Sequence, residues 1–502
     1  MVQVDNAQLE KYKSRGYSDD LLPKTENKRT WGTFNYFTLW MGSVHNVPNY
    51  VAVGGFLILG LSTVSIMAAI IVSAFIIAAV MVLNGAAGSK YGVPFAMILR
   101  ASYGVRGALF PGILRGCVAA IMWFGLQCYA GSLAFLILIG KVWPGFLEIG
   151  GGASILGITI PGLIAFLLFW AVNVAIGFGG GGVLNKFTAI LNPCIYIVFG
   201  GMAIWAIYLA GFGNIVNYVP SNVQTGGNSI FLFLVVINAV VAVWAAPAVS
   251  ASDFTQNAKN FKSQAAGQTF GLAVAYVLFA IASVCILAGA SIHYGTETWN
   301  VLDIVQKWDS LFASIFAVLV ILMTTISTNA TGNIIPAGYQ IAAIFPKKLT
   351  YKHGVMIASI ISVLICPWKL MENQASIYLF LDIIGGILGP VIGVMLAHYF
   401  IIMKRQINLD SLYTEPGQFS YYKNGFNSLA FVVTIVAVIV SLSGKFIPVL
   451  EPVSRLSWFV GVIVAFGAYA VFASLHRKKN PSFYDENTEV HIKNIGVEGN
   501  EL

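Results

Sequence analysis

Charge is what this chain of 502 residues has least of. Only 10% of its residues are Asp, Glu, Lys or Arg, and 58% are hydrophobic. Soluble chains carry roughly 25% charge, so a soluble globular protein is excluded. Cysteine is scarce as well. The five present, Cys117, Cys128, Cys194, Cys285 and Cys366, fall in or beside apolar segments, with no C-x-x-C among them. They read as small buried residues, not as disulfides or metal ligands. The six histidines show neither H-x-x-x-H nor H-E-x-x-H spacing, so no metal-binding motif is expected. No G-x-x-x-x-G-K-[ST] occurs, so ATP is not the expected energy source. No apolar leader opens the sequence: the first stretch is polar, with Lys11, Lys13, Arg15, Lys24, Lys28 and Arg29, and no signal peptide is expected.

What is abundant is apolar sequence in long runs. A helix needs about 20 such residues to cross a bilayer. Twelve segments qualify, near 36–60, 62–87, 110–140, 158–178, 188–212, 228–251, 267–291, 311–345, 353–370, 376–402, 427–447 and 457–475. The net charge of +8 would suit nucleic acid, but its placement argues otherwise. With the N-terminus inside and twelve alternating spans, the outer side receives only Lys141, Lys307, Lys369, Lys445 and Arg455 of the 28 basic residues. This asymmetry places both tails in the cytoplasm and the chain in the cell membrane, with the lipid bilayer rather than nucleic acid as its partner. The basic pair before Trp31 reads as an interfacial anchor, and Arg100, Arg106 and Arg115 read as topology signals. The run 177–182, five glycines and a phenylalanine, reads as a turn after the fourth span. The tail beyond Arg477 reads as disordered.

Two spans should not be continuous. The first carries Gly42, Ser43, His45, Asn46, Pro48 and Asn49 in its middle. Proline has no N–H to give and its ring clashes one turn back, so the helix breaks. The freed carbonyls then need partners that lipid cannot supply. The sixth carries Trp244 and Pro247 among small residues. Paired interruptions at corresponding places in two halves point to an inverted-repeat carrier with its site at the midplane.

Other residues gather around that expectation. Trp123 and Gln127 are four apart on the third span and share a helix face. An aromatic plate beside an amide suits a flat, hydrogen-bonding ring, or simply a packed bundle. On the eighth span Thr324, Ser327, Thr328 and Thr331 follow i, i+3, i+4, i+7 and line one stripe. Their oxygens suit a hard cation, or serve as glue between helices. Asn333 is rotated well off that stripe. Asp382, an acid within the tenth span, is a gate or proton candidate by default. The last two spans look unbroken, and are peripheral or oligomer-forming; a monomer is one expectation.

The motifs Val47-Pro48-x-Tyr50, Trp123-x-x-x-Gln127, Trp244 with Pro247, and Ser327-Thr328 with Asn333 resemble the nucleobase–cation symporter-1 family, its bacterial hydantoin and allantoin permeases above all. The resemblance runs from the Leu22-Pro23 tail through the tenth span. It implies an all-α fold of twelve spans: a leucine-transporter-like five-plus-five inverted repeat and two C-terminal helices. The implied boundaries are a tail over 1–35, repeats over 36–212 and 213–405, the last spans over 406–475, and a second tail over 476–502. It implies a ring held between Trp123 and Trp244, with Gln127, Asn333 and Asn46 at its edges. It implies a sodium ion, in place of any cofactor, bound by carbonyls of Gly42, His45 and Thr324 and by the hydroxyls of Ser327 and Thr328. Asn46 is a shorter amide than the glutamine of the hydantoin carriers, and Val243, not a glycine, precedes the sixth-span tryptophan.

The expected function is sodium-driven import of a neutral cyclic ureide or nucleobase: allantoin first, then hydantoin, uracil or cytosine. The alternatives are an amino-acid symporter of the same architecture and a proton-coupled permease using His45 and Asp382. No metal motif, nucleophile constellation or charged pore ring supports an enzyme or a channel.

Overall fold

The computed structural model describes residues 1–479 apart from 222, 224–227, 346, 372–373, 415–421 and 423; at 180–190, 374–375 and 479 it describes the backbone alone. Most of the second tail, residues 480–502, lies outside the described residues. Among those described, nine helices are long and apolar enough to cross a membrane. Three shorter apolar helices, Val47–Leu57, Ser229–Val243 and Tyr351–Leu364, fall where the first, sixth and ninth spans were expected. Among the described residues, sheet is one small hairpin, Ser154–Ile155 against Ile158–Thr159, in the loop after the third span, besides an isolated bridge between Trp31 and Ala258.

The first span is two helices, Thr33–Met41 and Val47–Leu57. Asn46 accounts for the restart. Its side chain accepts from the backbone N–H of Asn49 at 3.2 Å, and Pro48 sits in the first turn, where no N–H is needed. The freed carbonyls are met from within the protein. Tyr196 donates to Met41 O at 3.1 Å, Thr328 to Ser43 O at 3.1 Å, and Asn49 Nδ2 to Val44 O at 2.7 Å. Asn192, beside the proline inside the fifth span, donates to Thr38 O at 2.9 Å. The sixth span stops at Val243; Trp244 N tightens onto Val241 O at 3.0 Å, and the chain continues as the short helices Ala245–Val249 and Ser252–Thr255.

The seventh span, Phe261–Tyr294, packs against both the second span, Thr63–Asn84, and the first half of the broken one. The third, with Ala120–Val142 at its centre, packs against the eighth, Leu311–Asn329. Two stretches widen into π-helix, Leu114–Ala119 ahead of Trp123 and Ala330–Ile334 around Asn333. Such widenings concentrate at functional sites.

Three readings of the sequence need correction. The glycine run forms no turn: helix continues from Ile160 to Ala210. In a bilayer, internal backbone bonds matter more than glycine's low helix propensity. Arg100 and Arg115 are not loop charges, being 6% and 0% exposed. Arg115 donates to Ser250 Oγ at 3.1 Å and to Gly332 O at 2.7 Å, tying three spans together. Arg29 and Trp31 are not a lipid anchor either. Arg29 is buried and donates to Lys24 O and Val2 O, while Trp31 pairs in parallel with Ala258. The N-terminal tail is therefore a strap, bonded to the loops after the second, sixth and tenth spans.

Candidate functional site

A narrow cavity lies where the two interrupted helices meet the third and eighth spans. Asn46, Trp123, Gln127, Trp244 and Asn333 all line it. Around them stand Trp40, Ser43, Asn49, Val243, Pro247, Thr328, Thr331 and Gly332. No acid or base is in that lining. The free space is about 40 Å³, near one water's share of the liquid. A ring enters only if these side chains move apart.

The walls are indole and amide. Trp40 meets Trp244 edge to face at 5.3 Å between ring centres, and Trp123 meets Phe380 at 4.8 Å. The indole N–H groups of Trp40 and Trp123, the Oε1 of Gln127 and the hydroxyl of Thr331 are buried without a hydrogen-bond partner among the described residues. A buried polar group without a partner is costly, and these atoms are open to hydrogen bonds from whatever fills the cavity. Asn46 differs: its Nδ2 donates to Ser43 O at 3.1 Å while its Oδ1 caps the helix. It shapes the cavity with an amide already in use.

The residues implied for a cation are only partly free. Ser327 Oγ is buried and unpartnered, and no described residue donates to the carbonyls of Gly42 or His45. Thr324 Oγ1 donates back to Ile321 O at 2.9 Å, and Thr328 already bridges to Ser43. The two titratable candidates stand apart from the cavity. The His45 ring bonds Tyr50 Oη at 3.0 Å and stacks on Phe199. Asp382 forms an ion pair with Lys445 at 2.6 Å.

Sequence reasoning missed Trp40, Asn49 and Thr331. Asn49 was in view as a polar residue of the broken span and Thr331 as a member of the hydroxyl stripe, but neither was placed beside the ring. Trp40 looks like any core tryptophan. Thr328, Thr331 and Asn333 all line the cavity, at or beside the stretch where the eighth span widens into π-helix.

A family model described as permease for cytosine/purines, uracil, thiamine, allantoin matches residues 23–461. The chain is 80% identical over 460 residues to a putative allantoin permease of Escherichia coli, covering 92% of this chain and 95% of that one. It is 40% identical over 459 residues to the allantoin permease of Bacillus subtilis, covering 91% and 93%. Among solved structures it shares the fold of a nucleobase-cation-symport-1 family transporter in a closed conformation with bromovinylhydantoin bound. The TM-score there is 0.75 at 23% identity, covering 94% of this chain and 99% of that one. The chain belongs to the family of permeases for cytosine and purines, uracil, thiamine and allantoin, and is a multi-pass membrane transporter rather than an enzyme.

Proposed function

We propose that this protein imports a neutral, planar cyclic ureide or nucleobase, allantoin first, across the cell membrane by alternating access. The observation that carries the reading is the cavity itself: indole walls, an unpartnered Gln127 amide and no formal charge, set between two interrupted helices. A flat ring with N–H and C=O edges stacks on such walls and pairs with such amides. The names of the E. coli and B. subtilis relatives support allantoin over hydantoin, uracil and cytosine. Both tails lie in the cytoplasm in this reading, following the charge asymmetry.

The amino-acid alternative is weakened by Asn46. A carboxylate would seek the N-terminus of a half-helix, and here the Asn46 side chain already occupies that of Val47–Leu57. Sodium is the proposed coupling ion, held by Ser327 Oγ with the Gly42 and His45 carbonyls and reached when Thr328 lets go of Ser43 O. Proton coupling is the second reading; in it the hydrogen bond from Thr328 to Ser43 O, rather than an ion, ties the eighth span to the first.

Uptake of labelled allantoin, hydantoin, uracil, cytosine and leucine by cells expressing the protein, in sodium or choline medium at fixed pH, separates these readings. Allantoin uptake that collapses in choline supports the proposal. Uptake indifferent to sodium but steeply dependent on pH moves the coupling to protons, and uptake of leucine alone overturns the substrate class.

A further inference from the structure

Behind the cavity wall three buried asparagines form a chain. Asn173 on the fourth span donates its Nδ2 to Phe169 O at 2.9 Å. Its Oδ1 accepts from Asn329 Nδ2 at 3.1 Å. Asn329 Oδ1 in turn accepts from Asn333 Nδ2 at 2.9 Å. Asn173, Asn329 and Asn333 are 1%, 0% and 5% exposed, and only Asn333 lines the cavity.

The two ends of an asparagine amide have the same shape and opposite hydrogen-bonding sense, so its partners decide which end faces where. Here the decision is made at the far end. A carbonyl oxygen only accepts, so Phe169 O holds the NH₂ of Asn173 and turns Asn173 Oδ1 toward Asn329. Asn329 is fixed a second time, because its Nδ2 also reaches Phe124 O at 3.3 Å. Asn329 Oδ1 therefore faces Asn333 and claims its NH₂. The end of the Asn333 amide turned away from Asn329 is Oδ1, an acceptor, while its second N–H stays with the Nδ2 end.

We infer that Asn329 and Asn173 are positioning residues that fix the orientation of the Asn333 amide, holding its acceptor end toward the ligand, so that the site selects rings presenting an N–H to the eighth span. The inference rests on the cyclic-ureide reading and sharpens it. A ring whose N–H there is methylated meets an oxygen with nothing to give it, and a ring carbonyl there meets a second lone pair. Without the relay the Asn333 amide is free to rotate and offers either end.

Competition binding to the full-length protein tests this, with hydantoin and uracil as parent rings and their N-methyl derivatives at each ring nitrogen. In the unaltered protein at least one methyl position weakens binding tenfold or more. Asn329→Leu, of similar volume but without polar atoms, brings that ratio to within about threefold while parent binding remains measurable. Asn329→Asp restores the ratio: burial keeps the acid neutral, and a neutral acid donates to Asn173 Oδ1 and accepts from Asn333. A merely structural role would lower all affinities together and leave the ratio unchanged. Should Asn329→Leu fail to fold, Asn173→Leu reads the same ratio from the next link. A ratio unmoved in whichever variant folds overturns the relay, and failure of the unaltered protein to bind any parent ring overturns the substrate reading beneath it.

Discussion

At the scale of single residues, similar side chains in this cavity hold different jobs. Trp123 offers a face and an unpartnered N–H, so Trp123→Ala removes ring contact as well as area. An aromatic contact contributes about 0.5–1.5 kcal/mol beyond burial. Trp123→Ala should weaken allantoin binding roughly tenfold or more, with Trp123→Phe in between, as read by titration of the purified protein. Asn46 is different, since its oxygen caps a helix. Loss of such a cap costs about 1 kcal/mol. Asn46→Ala should lower the thermal midpoint, and Asn46→Ser, which still caps, should recover most of it. Equal midpoints for the two would show that the cap contributes nothing. These roles were half legible in the sequence. A tryptophan four residues from a glutamine announces a shared face, whereas Asn46 was expected at the ring's edge and its cap was not foreseen. Nothing local says that Trp40 or Thr331 would join them, because their place depends on how distant helices meet.

At the scale of elements, both helix interruptions were readable because proline and polar residues in apolar runs have one physical meaning. The π-helical turns were not, since an extra residue per turn leaves no mark on composition. The eighth span shows the consequence. Its hydroxyl stripe is real in phase, yet Thr324 bonds its own helix, Thr328 bonds Ser43, and only Ser327 and Thr331 keep theirs free. Ser327→Ala combined with Thr328→Ala should abolish the sodium dependence of allantoin binding while leaving binding in choline. Sodium dependence of unchanged size in the double variant would remove these hydroxyls from the ion site. The second half of the first span is gripped at its far end. A Cβ at Gly55 would lie 2.2 Å from the Tyr378 hydroxyl, and one at Gly54 would lie 2.5 Å from Trp299 O. Gly55→Leu should therefore splay the tenth span from the first and expose the cavity on that face. Faster labelling of a cysteine placed at Ser43 would report it; unchanged labelling would mean that Tyr378 simply swings aside.

At the scale of the whole molecule, the strap joins loops that the spans keep apart. Lys24 hydrogen-bonds Asn257 and is pushed down to about 8, chiefly by burial and then by nearby Lys28, with Asp20 and Asp253 opposing. Its usual value is 10.5, so the docked tail disfavours the charged form. Docking should then tighten as pH rises from about 8 to 10.5, where only the undocked lysine still holds its proton. Hydrogen exchange of the tail amides at pH 7.5 and 9.5, corrected for intrinsic rate, should show more protection at the higher pH. Lys24→Met should flatten the difference. The tail was read as a polar stretch ending in an interfacial anchor because its true partners lie far along the chain, and no sequence window contains both.

That distance has a consequence in time. The first helix of the strap holds Asp410 through Lys11 and Tyr12, and Tyr12 stacks on Tyr413 at 4.1 Å. Lys11 and Asp410 are 399 positions apart. Synthesis runs at about 5–20 residues per second, so the earliest-made segment waits some tens of seconds for the partners that seat it. The bonds of Val2 and Lys24 to the loop after the second span and of Trp31 to the loop after the sixth have their partners much earlier. The strap is thus fastened in stages, and the grip of its first helix on Asp410 is the last to close.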